Sequence, residues 1–185
     1  MKRIVVGLSG ASGIPLAIRL LEELRKYDCE IHLVVSKGAL MTLGYESDKT
    51  EADLKNMCDY YYDNEFIGAS IASGTFKNEG MIIIPCSMKT VAGIAHGYSD
   101  SLILRAADVM IKEKRNLVLV TRESPLSSIH LDNLAYLSKI ANITILPPMM
   151  TYYHQPKTIE DMENHMIGKI LNVFDIEMKE FRRWK

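Results

Sequence analysis

A doubly wound α/β fold with a mainly parallel sheet is predicted by three features of this 185-residue sequence. The apolar runs are short, rich in β-branched residues and apolar at nearly every position, as strands covered on both faces are. Amphipathic helical patterns separate them, which argues for helices on both sides of a parallel sheet. Several runs end in turns of glycine and serine just before the next helix.

The elements follow in order. Ile4-Val5-Val6-Gly7-Leu8 reads as a buried strand, and Pro15 to Tyr27 as a helix with Ile14, Ala17, Ile18, Leu21 and Leu24 on one face. Pro15 suits the first helical turn, where its missing N–H would have no partner anyway. Ile31 to Val35 is a second strand and Lys37 to Tyr45 a short helix. Met81-Ile82-Ile83-Ile84 is the clearest strand. Ser101 to Lys114 reads as a helix, Leu117 to Val120 as a strand, Ser127 to Ile140 as a helix and Ile143 to Leu146 as a strand closed by Pro147-Pro148. Thr158-Ile159-Glu160-Asp161 has the form of a capping box opening a last helix to about Phe174. Residues 47–80, polar and carrying Tyr60-Tyr61-Tyr62, fit no template. The expectation is one three-layer, Rossmann-like domain spanning residues 1–185.

Composition narrows the partners. Hydrophobic residues make up 48% and charged residues 24%, enough for a proper core. A net charge of −1 offers no basic field for nucleic acid or anionic lipid. Cys29, Cys58 and Cys86 are far apart and show no metal or disulfide spacing, as expected of reduced thiols in a cytoplasmic protein. No run reaches the ~18 apolar residues of a membrane span, and no metal-ligand cluster is evident.

The first strand ends in Gly7-Leu8-Ser9-Gly10-Ala11-Ser12-Gly13. Small residues let a backbone approach an anion, the following helix offers unpaired N–H groups, and Ser9 and Ser12 add hydroxyls. The turn has neither the dinucleotide nor the triphosphate glycine spacing. A tight turn with serine caps is the plain alternative. Val35-Ser36-Lys37 and Pro85-Cys86-Ser87-Met88-Lys89-Thr90 repeat the theme at two more strand ends.

Six motifs occur in order: Gly10-Ala11-Ser12-Gly13, Pro85 to Thr90, Arg105-Ala106-Ala107-Asp108, Arg122-Glu123-x-Pro125-Leu126, Ser128-Ile129-His130-Leu131 and Tyr153-His154-Gln155-Pro156. Together they resemble the UbiX-like flavin prenyltransferases, in particular the members that accompany phenolic (hydroxyarylic) acid decarboxylases. The resemblance implies a flavoprotein sandwich assembling as trimers within a dodecamer. It implies transfer of a dimethylallyl group from dimethylallyl phosphate to reduced FMN without a metal, giving prenylated FMN for a UbiD-like decarboxylase. It assigns FMN to Gly10, Ala11, Ser12, Ser36, Ser87, Met88, Lys89, Thr90 and Arg122. The donor falls to Tyr153 and Lys169, with Arg105, Lys112, Glu46 and Glu123 nearby and some groups supplied by neighbouring subunits.

The implied chemistry asks for such groups. Flavin N5 displaces phosphate from an allylic carbon and the ring closes through C6, so cations such as Arg105, Lys112, Arg122 and Lys169 would stabilise the leaving phosphate. Glu123, with Ser12 and Glu46, could handle protons. Tyr153, Phe66 and Trp184 could line a dry site with π faces. Lys at 169, where the family commonly has Arg, implies a weaker grip on phosphate.

Plainer readings stand beside these. Arg105 and Lys112 could lie on a solvated helix face, and Glu123 could be a surface pair with Arg122. His130 and His154 could be structural, and Cys86 simply a small buried side chain. Two other functions fit the same fold: an FMN-dependent cysteine decarboxylase, whose early-helix histidine is missing from Ser36-Lys37-Gly38-Ala39-Leu40, and an accessory protein that only carries FMN.

Overall fold

The computed structural model describes residues 1–181, so Trp184 lies outside the described residues. The chain runs β1 (Lys2–Leu8), α1 (Ile14–Leu24), β2 (Cys29–Val35), α2 (Lys37–Glu46), α3 (Glu51–Asn56), β3 (Tyr60–Asp63) and β4 (Gly80–Cys86). It continues through α4 (Met88–Ala95), α5 (Leu102–Lys112), β5 (Asn116–Thr121), α6 (Ser128–Leu137), β6 (Ile143–Ile145) and α7 (Ile159–Asn172). The six strands form one sheet in the order β3-β2-β1-β4-β5-β6, and every neighbouring pair is parallel.

Alternation along the strands explains the three layers. Ile4, Val6, Leu8, Ile82, Ile84, Val118 and Val120 pack on one face with α1 and α7. Val5, Met81, Ile83, Leu117 and Leu119 pack on the other with α4 and α5. Apolar side chains on both faces are why these strands read as unbroken apolar runs rather than alternating ones. No helix among the described residues is long and apolar enough to cross a membrane.

Four of the five helices given bounds from the sequence are shorter than the pattern suggested, for a local reason, while α2 runs one residue longer, to Glu46. Ser101, Ser127 and Thr158 are N-caps outside the helix proper, and α1 closes in a tight turn where the Lys26 and Tyr27 amides reach back only three residues. Lys114 and Asp175, at φ 56° and 53°, turn the chain just beyond α5 and α7. The unassigned stretch 47–80 holds α3, capped reciprocally by Thr50 and Asp53, and the edge strand β3, which extends the sheet beside β2.

Order reverses between β1 and β4. From β1 the chain passes to α1 on one face, and from β4 to α4 on the other, so a crevice opens beyond their carboxyl ends. Open α/β sheets bind ligands at such a switch point.

Candidate functional site

Four strand ends are laced together across this crevice. The Ser36 amide donates to the Leu8 carbonyl at 3.0 Å, the Ser9 amide to Pro85 at 3.2 Å and the Arg122 amide to Cys86 at 3.1 Å. Ser9 is the staple between the two central turns. Its hydroxyl donates to the Pro85 carbonyl at 2.8 Å and accepts from the Ser87 amide at 2.8 Å. At 3% exposure its one O–H is already spent on Pro85, which corrects its expected role as a hydroxyl donor in the turn.

Two cavities flank the first turn, and the turn is the wall between them. Ser9 and Gly10 face a polar cavity of about 340 Å³, shared with Ser36, Lys37, Ser87, Lys89 and Thr90. Ser12 and Gly13 face an apolar cavity of about 510 Å³, shared with Glu46, Arg122, Met149, Met150, Met162 and Met166.

The polar cavity gathers the ends of two helices. Ser36 caps α2 by accepting from the Ala39 amide at 3.1 Å, and Ser87 caps α4 by accepting from Thr90 at 3.3 Å. The Ser87 and Thr90 hydroxyls lie 3.0 Å apart. Both serines are therefore ordinary caps and cavity wall at once. The first amides of α2 and α4 have no intrahelical acceptors, and Lys37 and Lys89 add positive charge. Gly10 and Gly38 bring the first two turns into contact: a Cβ on Gly10 would lie 3.0 Å from the Gly38 Cα. Residues 47–80 contribute here too. Asn64 accepts from the Ile103 amide at 3.0 Å and so caps α5, whose own Ser101 side chain makes no cap.

At the apolar cavity, α1 starts at Gly13, whose φ of 122° favours glycine. Its first amides are already taken: Glu46 accepts from Gly13 at 2.8 Å and Ile14 at 2.9 Å. The expected free anion at this helix start is thus a carboxylate of the chain itself. Burial pushes the Glu46 pKa up, but the Ser12 hydroxyl, those two amides and the Arg122 charge outweigh it and hold the group below the usual carboxylate range. Glu163 lines the same cavity with its pKa raised, chiefly by burial and further by Glu160, against the pull of Arg19.

The family described as Flavoprotein matches residues 1–177. The flavin prenyltransferase LpdB of Lactiplantibacillus plantarum is 52% identical over all of this chain and 99% of its own. The chain belongs to the UbiX-like flavin prenyltransferases. Among solved structures, AnUbiX (PadA1) in complex with FMN and dimethylallyl pyrophosphate superposes with a TM-score of 0.96 at 43% identity, covering 100% of this chain and 97% of that one. A dodecameric FMN-dependent UbiX-like decarboxylase from Escherichia coli O157:H7 gives 0.96 at 44% identity, covering 99% of each chain.

Against that family pattern, Gly10, Ser36, Ser87, Lys89 and Thr90 line the polar cavity, and Ser12, Glu46 and Arg122 the apolar one. Ala11 is buried in the turn, and Met88, the first residue of α4, packs its side chain in the core, leaving only its backbone for a ligand. Cys86 is fully buried, and burial drives its thiol pKa up, in keeping with a packing role.

The residues expected around the prenyl donor are not gathered within one chain. Arg105 is held by Asp108 at 2.9 Å. Lys112 sits in the last turn of α5, beside Glu113 at 3.8 Å. A helix of that length spans about 16 Å, so Lys112 lies at the opposite end of the sheet from the site. Glu123 is exposed and accepts from the Ser124 amide at 3.0 Å. Phe66 is 61% exposed, just beyond Asn64 and Glu65 of the polar cavity. The Tyr153 hydroxyl lies 2.9 Å from His165, and Lys169 is exposed one turn further along α7. None of these lines either cavity.

Several cavity residues had no sequence signal of their own: Asn64, Gly38, Glu163 and the methionines at 149, 150, 162 and 166. The available hint was compositional, since 11 methionines in 185 residues is a generous supply of an adaptable apolar side chain.

Proposed function

We propose that this chain joins the dimethylallyl group of dimethylallyl phosphate to reduced FMN, releasing phosphate and supplying prenylated FMN to a UbiD-like aromatic acid decarboxylase. The observation that carries the reading is the first turn as a dividing wall. On one side stand hydroxyls, two helix starts and two lysines, the chemistry of a phosphate. On the other stands a larger apolar space with one arginine and two carboxylates, Glu46 and Glu163, suited to a flat ring and a prenyl chain.

When bound, the flavin supplies the nucleophilic nitrogen. The chain supplies everything around it. Ser36, Ser87 and Thr90 bind the FMN phosphate together with the α2 and α4 amides. Arg122 stabilises charge as the donor phosphate leaves. Glu46 accepts the Ser12 hydrogen bond, so the serine oxygen turns its lone pairs to the cavity and can relay a proton leaving it. The methionines exclude water from an electron-poor allylic carbon.

Arg105, Lys112, Glu123, Tyr153, Lys169, Phe66 and Trp184 act on the donor from the rims of packed subunits in a trimer-based dodecamer. The scatter of the described ones among them within one chain and the exposure of Tyr45, Ile129 and Met149, at 87%, 69% and 70%, support this assembly. The cytoplasm suits three free thiols.

Anaerobic incubation with reduced FMN and dimethylallyl phosphate tests the reading. Phosphate release with a matching gain in flavin mass is expected, and the pyrophosphate donor run in parallel fixes which is preferred. Bound FMN without adduct from either donor would overturn the transferase reading in favour of a carrier.

A further inference from the structure

His165 is buried at 3% exposure in the middle of α7, next in sequence to Met166 of the apolar cavity, and itself lines a separate cavity of about 340 Å³ with His154 and Phe181. Its ring is held on three sides. His154 stacks on it at 4.6 Å and 10°, Phe181 leans against it at 5.3 Å, and Tyr153 meets it edge-on at 5.3 Å and 84°. Its Nε2 lies 2.9 Å from the Tyr153 hydroxyl. Its Nδ1 is closed to solvent and has no hydrogen-bond partner among the described residues.

These contacts select one tautomer. A neutral imidazole carries a single N–H, on one nitrogen or the other. Burial, then the neighbouring His154 and Lys169, lower the His165 pKa and keep the ring neutral near pH 7. A proton on Nδ1 would be a buried N–H without an acceptor, which folded proteins avoid more strictly than a bare acceptor. A proton on Nε2 finds the phenol oxygen at once.

The direction of that bond decides what Tyr153 can offer. If the phenol donated to Nε2, its proton would be locked inside the pair and an incoming phosphate would meet lone pairs. With Nε2–H as the donor, the phenol oxygen accepts, and its own proton is directed away from His165. We propose that His165 is a positioning residue that holds the Tyr153 hydroxyl in the sense needed to donate to the phosphate of the prenyl donor. The proposal rests on the reading of Tyr153 as a ligand of that phosphate.

Solid-state 15N spectra of the assembled protein with ring-labelled histidine test the tautomer directly, with His165→Phe assigning the signal. An unprotonated Nδ1 and a protonated Nε2 are expected; the reverse pattern overturns the proposal whether or not any variant folds. In steady-state assays with reduced FMN, His165→Phe keeps the ring packing but loses the donor. It should raise the KM for dimethylallyl phosphate roughly three- to tenfold, the size of one hydrogen bond, with kcat and FMN retention near wild type. His165→Gln, which restores an N–H donor, should recover most of that loss. If His165→Phe leaves KM unchanged while Tyr153→Phe raises it, the positioning role is wrong and the reading of Tyr153 survives. An unchanged KM in Tyr153→Phe overturns the reading of Tyr153 itself, and the proposal with it.

Discussion

The polar and apolar cavities share a wall but are built by different means. The polar one follows from topology. Turns after β1, β2 and β4 meet at the switch point, backbone bonds lace them, Ser36 and Ser87 each cap a helix, and the Thr90 hydroxyl touches that of Ser87. The apolar one borrows from distant chain. Arg122 comes from the end of β5, Glu46 from the end of α2, and the methionines from α7 and the segment before it. Met149 and Met150 remain 70% and 69% exposed. Under the proposed function, a sheet edge preforms the phosphate site within one chain, whereas the compartment for the allylic group needs more cover than these elements supply.

The largest expected effect tests the apolar side. Arg122→Ala should cut the rate of phosphate release by on the order of 10²-fold or more, the usual scale for losing a charge that stabilises a transition state. Flavin absorbance retained after gel filtration reads the other cavity in the same sample. A variant that loses rate in proportion to its lost flavin would show that Arg122 belongs to FMN binding instead.

The two serines of the first turn sharpen the contrast. Ser9 is saturated by Pro85 and Ser87 and buried, so Ser9→Ala strands a buried amide and should cost about 1–3 kcal/mol of stability. Ser12 is half-buried and bonded to Glu46, so Ser12→Ala should cost less than about 1 kcal/mol yet slow prenyl transfer. Denaturant titration and phosphate release on both variants separate the two roles. Equal losses in both assays for both variants would mean that the turn acts as one unit.

Much of this was legible in the sequence, and the boundary has a physical form. Strands such as Gly80–Cys86, apolar on both faces, announce a covered parallel sheet without any structure. The edge strand Tyr60–Asp63 does not, because two half-buried tyrosines between two exposed residues carry neither an apolar run nor a clean alternation. Turn chemistry showed that hydroxyls gather at strand ends, but not that Ser9 spends its hydroxyl on the next turn, 76 residues away. The same holds for Glu46. Its reach to the start of α1 depends on how α1 and α2 pack, which no local pattern encodes. The motif residues that line neither cavity, such as Lys112 and Lys169, have places in the fold that no local pattern encodes.

The smallest effect concerns Glu46, the point where the two building styles meet. Burial raises its pKa, but Ser12, the amides of Gly13 and Ile14, and Arg122 together leave it below the ordinary value. The folded protein therefore binds this proton more weakly than the unfolded chain does. The stability it contributes is full above the ordinary glutamate value of about 4.3 and is lost as pH falls through the lower folded value. Glu46→Gln keeps an acceptor for the two amides but removes the charge at the helix start. It should cost about 0.3–1 kcal/mol at pH 7. Thermal melts of the two proteins should differ at pH 7 and converge as the pH approaches 3. A gap that stays constant through that range would mean the carboxylate serves α1 only as a hydrogen-bond acceptor, with its charge left to balance Arg122 in the cavity.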